Sequence, residues 1–346
     1  MSYDTVTYDI KDIIQETRSF LPGLEGKTIL ITGASGMLGS YLVRTLLFAN
    51  KHVFKKPARL YLVIRSKKEP FGHDVNIKYL HLDIAREIPN LANIHYIIHA
   101  ASKAAPLLYT KYPTDTLNTN ILGLYHVLKL CGTQTKSILF FSSSEVYGTP
   151  LSNRPVKEEF QGIVDHTSKR ASYVEAKRAG ETICLSYFRE KNFPVKIVRI
   201  FHTFGPGLNL SDGRIFSDFI RFGLEKKDIT IQGDKKLKRA FLYIKDATIM
   251  FLHVLLSGKN GQIYNIGNDK NVVSVEKFAY AVAEQFNKRY KNKLKVIIDT
   301  EKNLSFYKGA VKAILPDINK FKKEFRYHPT TDINEAVGRT IDSYLP

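Results

Sequence analysis

The sequence predicts an α/β fold: a doubly wound parallel sheet with a smaller, interleaved C-terminal lobe. Three observations carry that expectation. Short continuous apolar runs alternate with helically periodic segments over residues 27–200. This is the pattern of parallel strands covered on both faces by crossover helices. The first apolar run leads directly into glycines at 33, 36 and 39, at the head of a helical segment. After about residue 204 the alternation loosens, and 204–238 becomes Gly-rich and basic.

Taken in order, residues 1–25 read as an N-terminal extension. Ile10, Ile13, Ile14 and Phe20 fall roughly at helical spacing, so a short amphipathic helix is expected. The run Leu21-Pro22-Gly23-Leu24-Glu25-Gly26 breaks it. Strands are then expected at 27–32, 60–64, 79–82, 95–99, 136–141 and 195–200. Helices are expected at 40–50, 116–130 and 178–191. One more strand at 241–245, a helix to about 257 and a helix near 275–290 belong to the less regular second half. No internal repeat or low-complexity tract is found.

Composition bounds the function. The chain has 346 residues, of which 44% are hydrophobic and 25% charged; these are globular proportions, not those of a disordered chain. The apolar run 247–256 is interrupted by His253 and falls far short of the ~20 residues a bilayer needs. The first twelve residues carry early acids and no apolar segment, so no signal peptide is expected and a cytoplasmic location is. Two cysteines, Cys131 and Cys184, support neither a disulfide framework nor a zinc site, and no metal is expected. The net charge of +19 suggests an anionic partner. The basic residues are dispersed and no nucleic-acid-binding motif accompanies them. A phosphorylated metabolite is therefore the expected partner, with no nucleic acid and no membrane.

Gly33, Ser35, Gly36, Met37, Leu38 and Gly39 form the turn between the first strand and first helix. Glycine lets backbone N–H groups approach a pyrophosphate closely, and the helix N-terminus favours the anion. A Rossmann-type dinucleotide domain is expected over 26–203 and 239–257, with a substrate lobe over 204–238 and 258–346. The end of the second strand selects the adenosine ribose. Arg65 stands there, followed by Lys67 and Lys68, with no acid before Glu69; cations at this place favour the 2′-phosphate of NADP. Asp83 and Ile84 after the third strand, and Ala100, Ala101 and Ser102 after the fourth, are candidates for the rest of the cofactor wall. Asp83 reads equally well as a turn residue.

Tyr173 and Lys177 lie at i and i+4 on one helix face. A free phenol, with a pKa of about 10, is too weakly acidic to serve as a base near neutrality. A neighbouring ammonium stabilises the phenolate. The fifth strand runs into Ser142-Ser143-Ser144-Glu145, and strand carboxyl ends line the cleft in doubly wound sheets. Ser143 is placed to bond a reacting oxygen, and Glu145 to act as a base or bind a hydroxyl. His202 is a candidate wall of the sugar site. His99, His126 and Cys184 sit in apolar contexts and read as core or cleft-wall groups.

With these residues in place, the sequence resembles the extended short-chain dehydrogenase/reductases that modify nucleotide-sugars. Within that group, residues 143–148, 170–178, 200–206, 212–214 and 239–241 are most similar to UDP-glucuronate decarboxylases. The 4,6-dehydratases and 4-epimerases share the scaffold. The resemblance implies that Tyr173 takes the C4-hydroxyl proton while a hydride leaves C4. Lys177 would hold the ribose and tune Tyr173, Ser143 would bond the C4 oxygen, and Asn120 would join their polar network. Glu145 and Arg214 would flank C5, and Arg239 would bind the diphosphate. Ser144, Arg170 and His202 complete the implied substrate wall. The decarboxylases usually keep an acid after the second strand, so the resemblance favours NAD where Arg65 favours NADP. It also implies a homodimer paired through residues 116–130 and 173–190. The alternatives are a dehydratase, an epimerase, an NADPH-dependent 4-keto-sugar reductase or, more remotely, a non-catalytic NADP-binding protein. The last would be expected to lose Tyr173 or Lys177.

Overall fold

The computed structural model describes residues 3–150, 154–290, 293–299 and 313–345. The chain opens with α1 (Tyr3–Thr17), then a 3₁₀ turn at Leu21–Leu24. β1 (Thr28–Thr32), α2 (Met37–His52), β2 (Arg59–Ile64), β3 (Ile77–His81) and β4 (Tyr96–His99) follow. Next come α3 (Pro106–Lys111), α4 (Pro113–Leu128), β5 (Ser137–Ser143), α5 (Ala171–Lys191) and β6 (Val195–Ile200). The second half holds β7 (His202–Phe204), α6 (Ile215–Leu224), β8 (Ile229–Gln232), β9 (Lys238–Tyr243), α7 (Ile244–Ser257) and β10 (Ile263–Ile266). It ends with β11 (Val272–Ser274), α8 (Val275–Tyr290), β12 (Val296–Asp299), α9 (Asn319–Phe325) and α10 (Ile333–Asp342).

Seven strands form one sheet in the order β3-β2-β1-β4-β5-β6-β10, every pair parallel. The order reverses between β1 and β4. Ligands of such sheets bind outside the carboxyl ends at this switch point. One face of the sheet is packed by α1, α2 and α7, and the same core continues into the C-terminal lobe. The other face is packed by α4 and α5. The lobe adds a three-stranded sheet, β7-β9-β11, and a two-stranded pair, β8-β12.

Of the expected N-terminal extension, residues 3–25 are built into the body. Val6, Ile10 and Ile13, one stripe of α1, are buried in the main core. Between them Asp9 is fully buried. Its carboxylate accepts from Tyr41 Oη at 2.9 Å, Tyr243 Oη at 2.6 Å and Arg339 Nη1 at 2.6 Å. Among the described residues no helix is long and apolar enough to cross a membrane.

The structure shifts several expected boundaries. The strand expected at 241–245 is β9, which stops at Tyr243; Ile244 and Lys245 already belong to α7. The apolar run is continuous across this junction and no turn residue marks it. The helix expected at 116–130 begins at Pro113 and ends at Leu128, and α3 precedes it. Pro106 and Pro113 each open their helix, where the missing N–H is harmless.

Candidate active site

The glycine turn leaves the carboxyl end of β1. Gly33 has φ +69, and a Cβ there would lie 2.8 Å from the backbone of Ala100 and Ala101. A Cβ on Gly39 would lie 2.3 Å from Gly33 O. These two glycines let β1, α2 and the end of β4 close on one another. Gly36 caps α2 without any side-chain hydrogen bond to the helix N-terminus. Ser35 and Gly36 are exposed, with Met37 and Leu38 half-buried behind them. The open first turn of α2 thus presents its N–H groups and the positive end of its dipole to the cleft.

The β4 side offers unpartnered polar atoms. Ser102 Oγ and Asn120 Oδ1 are buried without a hydrogen-bond partner, as is His99 Nε2. The other ring nitrogen of His99 meets Thr32 Oγ1 at 2.8 Å, and Ala101 N–H donates to the same hydroxyl at 3.2 Å. Burial, and then the Lys177 charge, hold His99 down at about 3. A bare glycine cradle, an open helix N-terminus and orphaned donors and acceptors opposite it fit a dinucleotide lying across the switch point. At its adenosine end Arg65 is exposed. Asp83 caps its own turn, accepting from Ala85 N–H at 3.0 Å, and Ile84 packs under Gly123.

Tyr173 and Lys177 project from α5 toward the end of β5. Lys177 Nζ donates to Phe141 O at 2.7 Å and lies 6.0 Å from the Tyr173 ring centre. Burial pushes Lys177 down to about 7. Burial and the Glu145 charge push Tyr173 up to about 12, against a hydrogen bond from Ser143 and the charges of Arg214 and Arg170. The cations that lower Tyr173 are Arg214 across the cleft and Arg170 at the head of α5, a role that sequence reasoning gave to Lys177. Ser143 Oγ also accepts from Glu145 N–H at 3.2 Å. Ser144 is buried at the start of a second 3₁₀ turn, Ser144–Tyr147, which follows β5.

Arg170 at the head of α5, with Arg214 and Arg239 of the second lobe, forms a cationic wall around this pair. Arg170 Nη2 lies 3.1 and 3.3 Å from the two Glu145 oxygens. Arg214 follows Gly213 at the head of α6 and donates to Ala104 O at 2.7 Å. Its contact with Asp212 is looser, at 3.7 Å. Burial lowers Arg239, on β9, to about 10, with Glu145 opposing and Arg170 adding to the effect. His202 on β7 is held well below its usual range by burial and by Arg239, Arg214 and Arg170. Its Nδ1 is buried and unpartnered.

Sequence reasoning missed Tyr109 on α3. It is fully buried, and its hydroxyl has no partner. Its ring stacks on Tyr173, with centres 5.0 Å apart and planes within 9°. The Arg170 guanidinium covers the ring at 5.3 Å. The only sequence signal was a tyrosine between Pro106 and Pro113, just past a strand end.

The site can be set beside known proteins. The family described as NAD dependent epimerase/dehydratase matches residues 29–267. UDP-glucuronic acid decarboxylase 1 of Xenopus tropicalis is 31% identical over 325 residues, 93% of this chain and 73% of its own. The UDP-glucuronic acid 4-epimerase of Bacillus cereus, solved with UDP-glucuronic acid and NAD, superimposes with a TM-score of 0.75 at 23% identity, covering 91% of this chain and 98% of its own. The UDP-glucose 4-epimerase of Thermotoga maritima gives 0.77 at 20% identity, over 92% and 98%.

Proposed function

The chain belongs to the NAD dependent epimerase/dehydratase family, and from that premise we propose that it decarboxylates UDP-glucuronate to a UDP-pentose. The observation that carries the proposal is the cationic wall. Arg170, Arg214 and Arg239 converge on His202 with Glu145 as their facing carboxylate. With Arg170 paired to Glu145, Arg214 and Arg239 remain for the substrate, and two guanidiniums apart from one another suit a diphosphate and a sugar that carries its own anion. The named decarboxylase relatives at about 30% identity support the same reading.

The residues divide the chemistry. Tyr173 takes the proton of the C4 hydroxyl and returns it at the end. Ser143, beside Tyr173 at the end of β5, holds the C4 oxygen. A dinucleotide held by the glycine turn and Lys177 would supply reversible hydride acceptance at C4. A ketone at C4 is β to the C6 carboxylate, so the C5–C6 bond breaks, CO2 leaves and the electron pair enters the C4–C5 enolate. Arg214 positions the carboxylate, and its partner must release it as the charge moves to the enolate oxygen; a loosely paired guanidinium at the rim suits that. The proton that replaces CO2 at C5 comes from solvent, and Glu145, held by Arg170 as a carboxylate, orients the water that delivers it. Arg239 meets the diphosphate. Gly33, Gly36, Gly39, Arg65, Asn120 and Lys177 hold the dinucleotide, with Arg65 favouring a 2′-phosphate.

Arg65 also supports a second reading, an NADPH-dependent reduction of a 4-keto-sugar. The test is mass spectrometry of products from UDP-glucuronate without added reductant. Loss of one CO2 with the dinucleotide still oxidised is expected. An unchanged substrate overturns the decarboxylase reading, and a panel of nucleotide-hexoses with NADP and NADPH then separates the others.

A further inference from the structure

Behind the Tyr173–Lys177 pair lies a buried ion pair that the chemistry above does not use. Glu181 is 6% exposed and Arg199 9%. Arg199 forks the carboxylate, with Nε to Oε1 at 2.9 Å and Nη2 to Oε2 at 2.7 Å. Its third arm donates to Glu158 O at 2.7 Å, and its plane covers the Tyr147 ring at 4.7 Å. Ser142 Oγ donates to the same carboxylate at 2.5 Å. Burying such a pair is weak evidence of stabilisation, because desolvation offsets most of the attraction. Its placement is more informative. Glu181 is one helical turn beyond Lys177 on the same face of α5. Ser142 immediately precedes Ser143 on β5.

We infer that Glu181, held by Arg199 and Ser142, is a positioning residue for Lys177: its carboxylate keeps the buried ammonium charged and pins that turn of α5 to the strand end carrying Ser143. The inference rests on the reading that Lys177 meets a dinucleotide. The groups around Lys177 single Glu181 out. On α5 it faces Tyr173 and Cys184, on β4 His99, on β5 the Phe140 ring and the Phe141 carbonyl. Tyr109, Arg170 and Glu145 lie beyond Tyr173. His99 is held neutral by burial, and burial pushes the Cys184 thiol far up, so neither carries charge near neutrality. Cys184 and then Glu181 are the neighbours whose negative charge would oppose the desolvation of Lys177; with the thiol neutral, Glu181 is the anion there among the described residues, with the Arg199 cation on its far side.

The test is dinucleotide affinity against pH, by calorimetry with NAD and with NADP, which reads the Lys177 charge without any sugar. Wild-type affinity falls as Lys177 loses its proton. Glu181→Gln removes the carboxylate and leaves Arg199 uncompensated, so the fall moves to lower pH by about one unit. Arg199→Met leaves Glu181 unneutralised and moves the fall the opposite way. The double variant Glu181→Gln/Arg199→Met has no unpaired buried charge and keeps its fold; its fall lies below wild type by less than that of Glu181→Gln. Ser142→Ala removes a hydrogen bond and no charge, and leaves the fall in place. A purely structural pair would weaken binding equally at every pH. Shifts in one direction for both single variants, or a double variant or wild type with no displacement or no fall, overturn the inference. A protein that shows the opposed shifts yet leaves UDP-glucuronate intact loses the proposed activity and retains this role for Glu181.

Discussion

Arg170→Met tests how the cationic wall serves the base. The guanidinium lies 3.1 Å from Glu145, with side chains 20% and 25% exposed. Two unit charges at about 4 Å attract by ~4 kcal/mol at an effective dielectric of about 20. Partial exposure and longer distances reduce the part felt at Tyr173 to about 1–2 kcal/mol, or about one pH unit. The sign is fixed by two effects acting together. Removing Arg170 takes away a charge that lowers Tyr173, and it frees the Glu145 charge that raises it. Tyr173 works as a base only after losing its proton, so the acidic limb of the rate profile moves to higher pH. At neutral pH, kcat/KM for UDP-glucuronate then falls about tenfold. Arg170→Lys keeps the charge, loses the fork and leaves the limb near its original position. The assay is the pH profile of product formation by each variant. An Arg170→Met limb that stays in place while KM alone rises would refute the reasoning and make Arg170 a binding residue only.

Four further outcomes are expected. Tyr173→Phe lowers turnover by about 10²–10⁴-fold, while calorimetry shows dinucleotide affinity nearly unchanged. Arg65→Asp moves the ratio of the NADP and NAD dissociation constants toward NAD; an unchanged ratio removes Arg65 from cofactor choice. The resemblance implies a homodimer paired through residues 116–130 and 173–190, where Leu122 is 44% and Tyr125 39% exposed; the expected outcome is that Leu122→Glu halves the mass seen by light scattering, and a wild type that is already monomeric removes the pairing. Asp9→Ala strands two tyrosine hydroxyls and takes one of three carboxylates from Arg339, which keeps Asp12 and Glu335; a loss of about 2–4 kcal/mol is expected in denaturant titration, and a loss below ~1 kcal/mol would count against the buried node.

What the sequence made legible was local. The strands of the large sheet are short apolar runs, and β1, β4, β5 and β6 are buried almost throughout, so their periodicity was complete. The glycine turn and the Tyr173–Lys177 spacing each lie within one element and its boundary. What stayed illegible depends on partners distant in the chain. Tyr109 gains meaning only from Arg170 and Tyr173, which α5 brings to it. Glu181 looks like one more solvated acid on a helix until β6 supplies Arg199. Arg170 and Glu145 are 25 residues apart, and no spacing rule joins them. Even the β9–α7 boundary was hidden, because burial on both sides erased the turn signal.

The node around Asp9 has a consequence for how the molecule is made. Asp9 and Arg339 meet across 330 positions of sequence. The stripe of Val6, Ile10 and Ile13 can seat once α2 and α7 exist, because α1 packs on those helices. The buried acid beside it keeps only the hydroxyls of Tyr41 and Tyr243 until α10 arrives. Closing so long a loop is slow and comes late. The large sheet can therefore be complete while the acid at its back still waits for a counter-ion.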